Sequence, residues 1–143
     1  MFVNFSGAAI ALEPESLNCE AILQAWYPGQ AGGQAVAEVL FGDYNPAGKL
    51  PLTFYRNLAQ IPDFEDYNMT GRTYRYMKET PLFPFGHGLS YTTFKYGKLK
   101  MNDDKIAVGQ NLNLVIPVTN TGSRDGDEVV QVYLKKMDDT EGP

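Results

Sequence analysis

The side-chain pattern changes at about residue 93, and this change constrains the fold more than any other feature. Beyond it, polar and apolar residues alternate at 111–119, and a further apolar run follows at 129–134, with turn residues between the two. Such short strands and turns are typical of an all-β sandwich of the immunoglobulin type. That sandwich needs about seven strands and about 100 residues. Only 94–143 are left for it, enough for about three strands, so we expect an incomplete sandwich.

Residues 1–55 have a different pattern, with apolar runs on both sides of a helix-like segment. The runs at 2–6 and 21–27 predict two buried strands, and 50–55 is strand-like. Residues 30–41 carry apolar positions mostly at helical spacing and are followed by Gly42, which predicts a helix with a glycine C-cap. Ser16 is predicted to cap a short helix over 17–20. This order of elements predicts part of an α/β layer.

Between these parts, residues 56–93 are rich in aromatic residues, proline and glycine. Phe64, Phe83 and Phe85 lie among several tyrosines, with prolines at 62, 81 and 84. This composition predicts a long, ordered aromatic loop. Loops of this length are commonly functional or pack across another domain.

Composition excludes several classes of function. Cys19 is the only cysteine and His87 the only histidine, so neither an internal disulfide nor a two-histidine zinc site can form. Twelve basic against 17 acidic side chains give a formal net charge of −5, which argues against nucleic acid and anionic membrane surfaces as partners. No apolar run reaches the roughly 18 residues of a membrane helix.

The first residues lack the basic region and long apolar stretch of a secretory signal. They have the pattern of a strand that has already begun, so we expect that Met1 is not the natural start of a domain.

Four groups of residues are candidates for chemistry, and each has a structural alternative. His87 has the residue type of a general base, but no nucleophile pattern lies near it, which favours a histidine held in an aromatic turn. Asp63, Glu65 and Asp66 have the residue types of an acid/base pair, whereas exposed loop acids are the common case. The acidic segment at 125–128 has the residue types of a calcium loop, whereas a solvated turn is the favoured interpretation. The glycine-rich turn at 29–33 has the residue types of a phosphate cradle, whereas tight packing is favoured there.

The segment GRTYRY at 71–76 interleaves two arginines with aromatic rings. It has the residue types to stack sugar rings and bind hydroxyls, or to fix the loop onto the α/β layer by cation–π contacts, and we favour the second interpretation. Asn4 and Asn68 stand in formal glycosylation sequons, of which the first lies in a predicted buried strand. The residues by themselves predict no catalytic residue, no cofactor and no metal ligand.

Four segments, in order along the chain, resemble glycoside hydrolase family 3. They are AILQAWYPGQ (21–30), AEVLFGDYNPAGKLPLTF (37–54), PLFPFGHGLSYTTF (81–94), and VTNTG (118–122) with GDEVVQVYL (126–134). The details, including MTGRTYRY (69–76), are most similar to the β-xylosidase/β-glucosidase branch.

The resemblance implies an architecture of barrel, α/β sandwich domain and fibronectin type III domain. It assigns residues 1–55 to the end of the α/β sandwich domain, 56–93 to the linking loop, and 94–143 to the first strands of the fibronectin type III domain. The family's reaction is exo-hydrolysis of β-linked sugars with retention, which needs two carboxyl groups. The barrel's nucleophilic Asp usually precedes a Trp, but Trp26 follows Ala25, and nothing here matches the acid/base segment. No catalytic residue is therefore carried over.

The sequence thus leads to three interpretations. The first is a C-terminal part of a retaining exo-β-glycosidase, inactive alone, whose parent acts on β-linked xylo- or gluco-oligosaccharides and supplies the missing barrel. The second is a non-catalytic module that binds carbohydrate or protein. The third is a truncated product that self-associates through exposed strand edges. The sequence leaves open the sugar preference and whether the parent is periplasmic, secreted or cytoplasmic.

Overall fold

A computed structural model describes residues 1–135 and residue 137. Its elements are short and mix helices with strands. In chain order they are β1 (Phe2–Asn4), α1 (Glu13–Asn18), β2 (Ile22–Gln24), α2 (Gly32–Phe41), a 3-10 helix (Leu58–Gln60), α3 (Thr73–Tyr76), β3 (Phe94–Tyr96), β4 (Lys100–Met101), β5 (Leu114–Val115) and β6 (Val118–Asn120). No helix within the described residues is long and apolar enough to cross a membrane.

The first part contains a small parallel sheet. β1 pairs with β2 in register Phe2↔Ile22, and α1 lies in the connection between them. Both predicted strands are confirmed, although they are shorter than expected and mostly half-buried. The predicted cap at Ser16 is wrong, because α1 already begins at Glu13 with Pro14 in its first turn, where the missing N–H of proline is harmless.

The predicted helix before Gly42 is confirmed as α2, which begins two residues later than expected. Gly42 ends it with φ of 81°, and its N–H donates to the carbonyl of Val39. That backbone conformation is easily reached only by glycine, which explains the residue at this position.

Residues 50–54 run beside 82–87 without forming a regular strand. A single bridge joins Phe54 to Phe83, and the Leu50 N–H donates to the His87 carbonyl over 2.8 Å. The strand-like expectation at 50–55 is therefore wrong, and Pro51 and Pro84, which have no N–H to donate, lie within this pairing.

The largest fully buried side chains among the described residues are Phe54, 1% exposed, and Leu12, 2% exposed. Around Phe54 a row of rings continues the packing. The centroid of the Phe54 ring lies 6.4 Å from that of Trp26 and 6.4 Å from that of Phe83, and both contacts are edge-to-face. This small core holds the sheet against the later part of the aromatic loop.

The last part is an antiparallel ribbon with a break in the middle. β3 pairs with β6, β4 pairs with β5, and between the two pairs Gly97 donates its N–H to the Pro117 carbonyl over 2.8 Å. The single strand predicted at 111–119 is wrong, because Pro117 lacks a donor and divides it into β5 and β6.

The strand predicted at 129–134 is also wrong. This segment has no regular secondary structure; instead, the Gln131 side chain donates to the Gly86 carbonyl and Tyr133 packs edge-on against Tyr74. A strand needs a neighbouring strand to complete its hydrogen-bond ladder, and none of the described strands pairs with this segment.

Candidate functional site

A hollow of about 500 Å³ lies against β2 and the row of aromatic rings. Its lining includes Trp26, Phe54, Phe83 and His87. Trp26 has φ of 54°, a left-handed conformation that a bulky residue rarely adopts, at the point where the chain leaves β2. Among the residues that the structure describes, Glu20 supplies the only carboxylate of the lining.

His87 lies between the aromatic rings and a basic side chain. Its ring is stacked on that of Phe83, with centroids 5.2 Å apart. Burial lowers the pKa of His87, and the nearby Lys49 ammonium lowers it further. Its backbone N–H donates to the Pro84 carbonyl, so the expectation of a histidine held in an aromatic turn is confirmed.

Asp63, Glu65 and Asp66 lie together on the surface, as expected for loop acids. Asp63 accepts the Glu65 N–H over 3.1 Å, and Asp66 accepts the Asn68 N–H over 2.9 Å. The Asn68 backbone N–H and then its side-chain amide hold the pKa of Asp66 below its usual range. These carboxylates shape turns, and all three are exposed outside the hollow.

The contacts of segment 71–76 lie mainly within the loop itself. The cation–π contact expected with the α/β layer is not observed among the described residues, because the Arg75 guanidinium lies over the ring of its neighbour Tyr74. The Arg72 guanidinium donates to the carbonyls of Asp63, Asp66 and Asn68. The Tyr74 ring stacks on Phe85 with centroids 4.5 Å apart. These contacts join residues between 4 and 11 positions apart within the loop, so they fix its local course.

Arg75 provides the cation–π contact of this segment. Its guanidinium carbon lies 5.8 Å from the centroid of the Tyr74 ring. Such a contact is favourable by about 0.5–1 kcal/mol at exposed sites. It supports the stacked position of Tyr74.

The glycine turn before α2 packs closely at Gly32, whereas a Cβ at Gly29 or Gly33 would meet nothing within 4 Å. Gly29 has φ of 69°, and a Cβ at Gly32 would lie 2.5 Å from the ring of Pro28.

No group of three His, Cys, Asp or Glu side chains within the described ranges is placed to hold a metal ion. Of the sequon residues, Asn4 is buried and donates to Gln24, whereas Asn68 is exposed.

Sequence reasoning missed the contacts by which the final segment is fixed to the α/β part. The Asn45 amide donates to the Asp125 carbonyl over 2.9 Å, and its oxygen accepts the Ser90 hydroxyl and the Tyr91 N–H over 2.9 and 2.7 Å. The Arg124 guanidinium donates to the Gly42 carbonyl over 2.7 Å. We call this set of contacts the Asn45 junction.

Glu128 makes a second connection beside the Asn45 junction. Its carboxylate lies 3.7 Å from the Lys49 ammonium and accepts the Tyr96 hydroxyl over 2.7 Å. The 125–128 segment, expected as a solvated turn, therefore has one carboxylate in contact with the α/β part. The only signals in the sequence were the polar residues themselves, because pairs about 80 positions apart leave no local pattern.

Comparison with known proteins matches the chain to one protein family and to part of several longer relatives. The family model described as the glycosyl hydrolase family 3 C-terminal domain matches residues 1–91. A xylan 1,4-beta-xylosidase of Xylanibacter ruminicola is 58% identical over all 143 residues, and a periplasmic beta-glucosidase of Salmonella typhimurium is 42% identical over 96% of the chain. These matches cover 16% and 20% of the two relatives.

Solved structures agree with the sequence matches. A beta-glucosidase from Erythrobacter marinus superposes on 87% of the chain with a TM-score of 0.73 and 45% identity. Beta-glucosidase 3B from Thermotoga neapolitana, in complex with glycerol, covers the same share with a TM-score of 0.74 and 32% identity. The chain covers 17% and 19% of these two structures. Since the family model matches well over half of its residues, the chain belongs to glycosyl hydrolase family 3.

Proposed function

We propose that this chain is the C-terminal part of a longer retaining exo-β-glycosidase that removes xylose or glucose units from β-linked oligosaccharides. The observation that carries the proposal is the 58% identity over all 143 residues to a xylan 1,4-beta-xylosidase that is several times longer. Retaining hydrolysis requires two carboxyl groups about 5–5.5 Å apart. Among the described residues, the hollow against β2 is lined by a single carboxylate, that of Glu20. In this proposal both catalytic carboxylates come from outside these residues.

The domain assignment is part of the same proposal. Residues 1–55 are the end of an α/β sandwich domain, 56–93 are the linking loop, and 94–143 are the first strands of a fibronectin type III-like sandwich. The parallel pairing of β1 with β2 supports the first assignment, and the antiparallel ribbon of β3–β6 supports the third. The loop contacts the first part at Phe54–Phe83 and the last part at Gly86–Gln131, and these contacts support the second assignment.

The surface supports a chain that packs against further protein. The exposed large apolar residues include Leu17, Tyr27, Phe41, Leu58 and Leu89, each more than three-quarters exposed. A two-stranded parallel sheet is also too small to be stable by itself. We infer that the missing barrel and the remainder of the α/β domain cover much of this surface.

A chimera tests the proposal. This chain replaces the segment it matches in the Xylanibacter xylosidase, and hydrolysis of nitrophenyl β-xyloside is compared with that of the intact relative and of the relative lacking the segment. We expect the chimera to be active, and the deletion variant and the isolated chain to be inactive. The matched control is a chimera carrying Phe54→Ala, in which the buried core is disrupted and activity should fall with stability.

Two results would contradict the proposal. One is a folded chimera without turnover. The other is turnover by the isolated chain that is lost when one of its own carboxylates is replaced, since the catalytic pair would then lie within these residues.

The alternative, a non-catalytic module that binds carbohydrate, is favoured by one observation, the exposed aromatic side chains of the loop. Titration of xylo- and cello-oligosaccharides against tryptophan and tyrosine fluorescence of the isolated chain distinguishes it. A response without restored activity in the chimera would favour the alternative.

A further inference from the structure

The chain contains a single Asp-Gly dipeptide, Asp125–Gly126, and no Asn-Gly dipeptide. An aspartyl carboxyl and the amide nitrogen of the next residue can react with each other within the chain, and glycine favours this because it has no side chain to obstruct the approach. The two residues lie outside the helices and strands, between β6 and the apolar run at 129–134. Because the reacting groups are neighbours in the chain, the reaction needs water but neither a pocket nor a partner.

The reacting nitrogen and the reacting carboxyl are both free to meet. Within residues 1–135 and 137, the Gly126 N–H has no acceptor and the Asp125 carboxylate has no donor. Asp43 differs, since the N–H of the following residue, Tyr44, donates to the Glu38 carbonyl over 3.0 Å. A nitrogen that donates a hydrogen bond has to give it up before it can attack.

The Asn45 junction restrains the peptide group that contains this nitrogen. The Asp125 carbonyl and the Gly126 nitrogen belong to one planar peptide group, and the Asn45 amide donates to that carbonyl over 2.9 Å. Attack requires the plane to turn toward the Asp125 side chain, so the hydrogen bond has to break first. A Cβ on Gly126 would lie 2.5 Å from the Asn45 amide nitrogen. The contact that restrains the dipeptide therefore also requires glycine in it.

We propose that Asp125 is a site of spontaneous isomerisation to isoaspartate, and that the hydrogen bond donated by Asn45 controls the rate. The inference concerns a modification of this chain and is independent of the glycosidase assignment.

The reaction has two steps and uses only water. The Gly126 nitrogen attacks Cγ of the protonated Asp125 carboxyl, a C–N bond forms, and the N–H proton leaves with the carboxyl hydroxyl as water. Water then adds to the main-chain carbonyl of the cyclic imide and breaks its bond to nitrogen, so the chain is now linked through the former side chain. One water is released and one is consumed, and nothing is oxidised or reduced.

The reacting bond lies between two attachments of the last part. Arg124, next to Asp125, donates to the Gly42 carbonyl over 2.7 Å, and Glu128 lies 3.7 Å from the Lys49 ammonium. Isoaspartate lengthens the main chain between these attachments by one methylene group. The conversion therefore alters the segment that fixes the last part to the α/β part.

Incubation of the full 143-residue chain at neutral pH and body temperature tests the proposal. Isoaspartate is measured by enzymatic methyl transfer and located by peptide mapping. The end-blocked peptide SRDGD (123–127) gives the rate of an unrestrained backbone, and sampling continues until half of it has converted. We expect isoaspartate at Asp125 in the unchanged chain, at a lower rate than in the peptide.

Two variants test the control by Asn45. Asn45→Ala removes the whole side chain, whereas Asn45→Asp removes only the donated hydrogen bond and can still accept from Ser90 and Tyr91. Both should isomerise about two- to tenfold faster than the unchanged chain, since one hydrogen bond corresponds to about that factor. Amide spectra establish that each variant keeps the fold, and Asn45→Asp carries the comparison if Asn45→Ala is unfolded.

Asp125→Glu is the matched control for the chemistry. It keeps a carboxylate and the main-chain carbonyl, but its side chain would have to close a larger ring, so no isoaspartate should form at this position. Asn111→Ala, at an exposed position outside the junction, should isomerise at the rate of the unchanged chain.

Absence of isoaspartate at Asp125 in the unchanged chain over this period would overturn the site. An equal rate in the unchanged chain and in Asn45→Asp would overturn the control by Asn45. The same methyl-transfer signal in Asp125→Glu would show that it comes from another residue, and this too would overturn the proposal.

Discussion

Removal of the Asn45 side chain should weaken the attachment of the final segment to the α/β part. Asn45→Ala eliminates three hydrogen bonds at once, those with the Asp125 carbonyl, the Ser90 hydroxyl and the Tyr91 N–H. A typical hydrogen bond contributes about 0.5–1.5 kcal/mol net, and because Asn45 is half-buried we expect a loss of about 1.5–3 kcal/mol in the free energy of unfolding.

Asn45→Asp distinguishes the hydrogen bond that Asn45 donates from the two that it accepts. The carboxylate can still accept from Ser90 and Tyr91, but it has no N–H for the Asp125 carbonyl and places two oxygens against each other. We expect a loss of about 1 kcal/mol for this variant. The same amide leaves no room for a side chain at position 126, since a Cβ on Gly126 would lie 2.5 Å from the Asn45 amide nitrogen.

Urea unfolding measures the free energies, and amide hydrogen exchange of Tyr91 locates the effect. In Asn45→Ala the Tyr91 N–H loses its acceptor, and a local loss of about 1.4 kcal/mol corresponds to about tenfold faster exchange. In Asn45→Asp that amide keeps its protection. Asn111→Ala, at an exposed position, is the control and should change stability by less than about 0.5 kcal/mol.

The reasoning is refuted if Tyr91 exchanges at the same rate in the unchanged chain and in Asn45→Ala. The same conclusion follows if Asn45→Ala is no less stable than Asn111→Ala. Either result would mean that the Asn45 hydrogen bonds contribute nothing to the attachment of the two parts.

Three further substitutions test the core, the helix end and the pH dependence. Phe54→Ala empties the most buried aromatic site and should lower the free energy of unfolding by about 3–4 kcal/mol in urea, with Phe54→Leu intermediate. Gly42→Ala should cost about 1 kcal/mol in the same assay, because φ is 81° there, and no loss would mean that the helix end relaxes freely. The folded state binds a proton at His87 more weakly than the unfolded state, whose imidazole pKa is about 6.5. The contribution of neutral His87 to stability is therefore fully present above about pH 6.5 and is lost as the pH falls through the lower pKa of the folded state. In His87→Gln the thermal midpoint should fall less between pH 7 and pH 5 than in the unchanged chain. An equal fall in both would contradict a role of His87 in the pH dependence.

Local patterns predicted local structure well where one physical rule dominated. Helix α2 followed from helical spacing and a glycine at its end, and the two strands β1 and β2 followed from short apolar runs. Predictions failed where a proline or a missing neighbour decided the outcome. Pro117 divided one expected strand into two, and the segment 129–134 remained unpaired.

The candidate site divides in the same way. The sequence alone determined the kinds of groups available: one histidine, one cysteine, loop acids and interleaved arginines and rings. The amino-acid sequences of four segments carried the family resemblance. These properties belong to single residues or to neighbours along the chain, and they survive without any three-dimensional arrangement.

Only the tertiary structure decided which of those groups meet. It stacked His87 on Phe83, connected Asn45 to Asp125, and left Phe64 exposed on a loop held by Arg72. The physical reason is that hydrogen bonds and ring contacts act over a few ångströms, whereas these partners are separated by up to 80 positions in the chain. No local pattern encodes such a distance, so the packing of the whole chain has to bring the partners together.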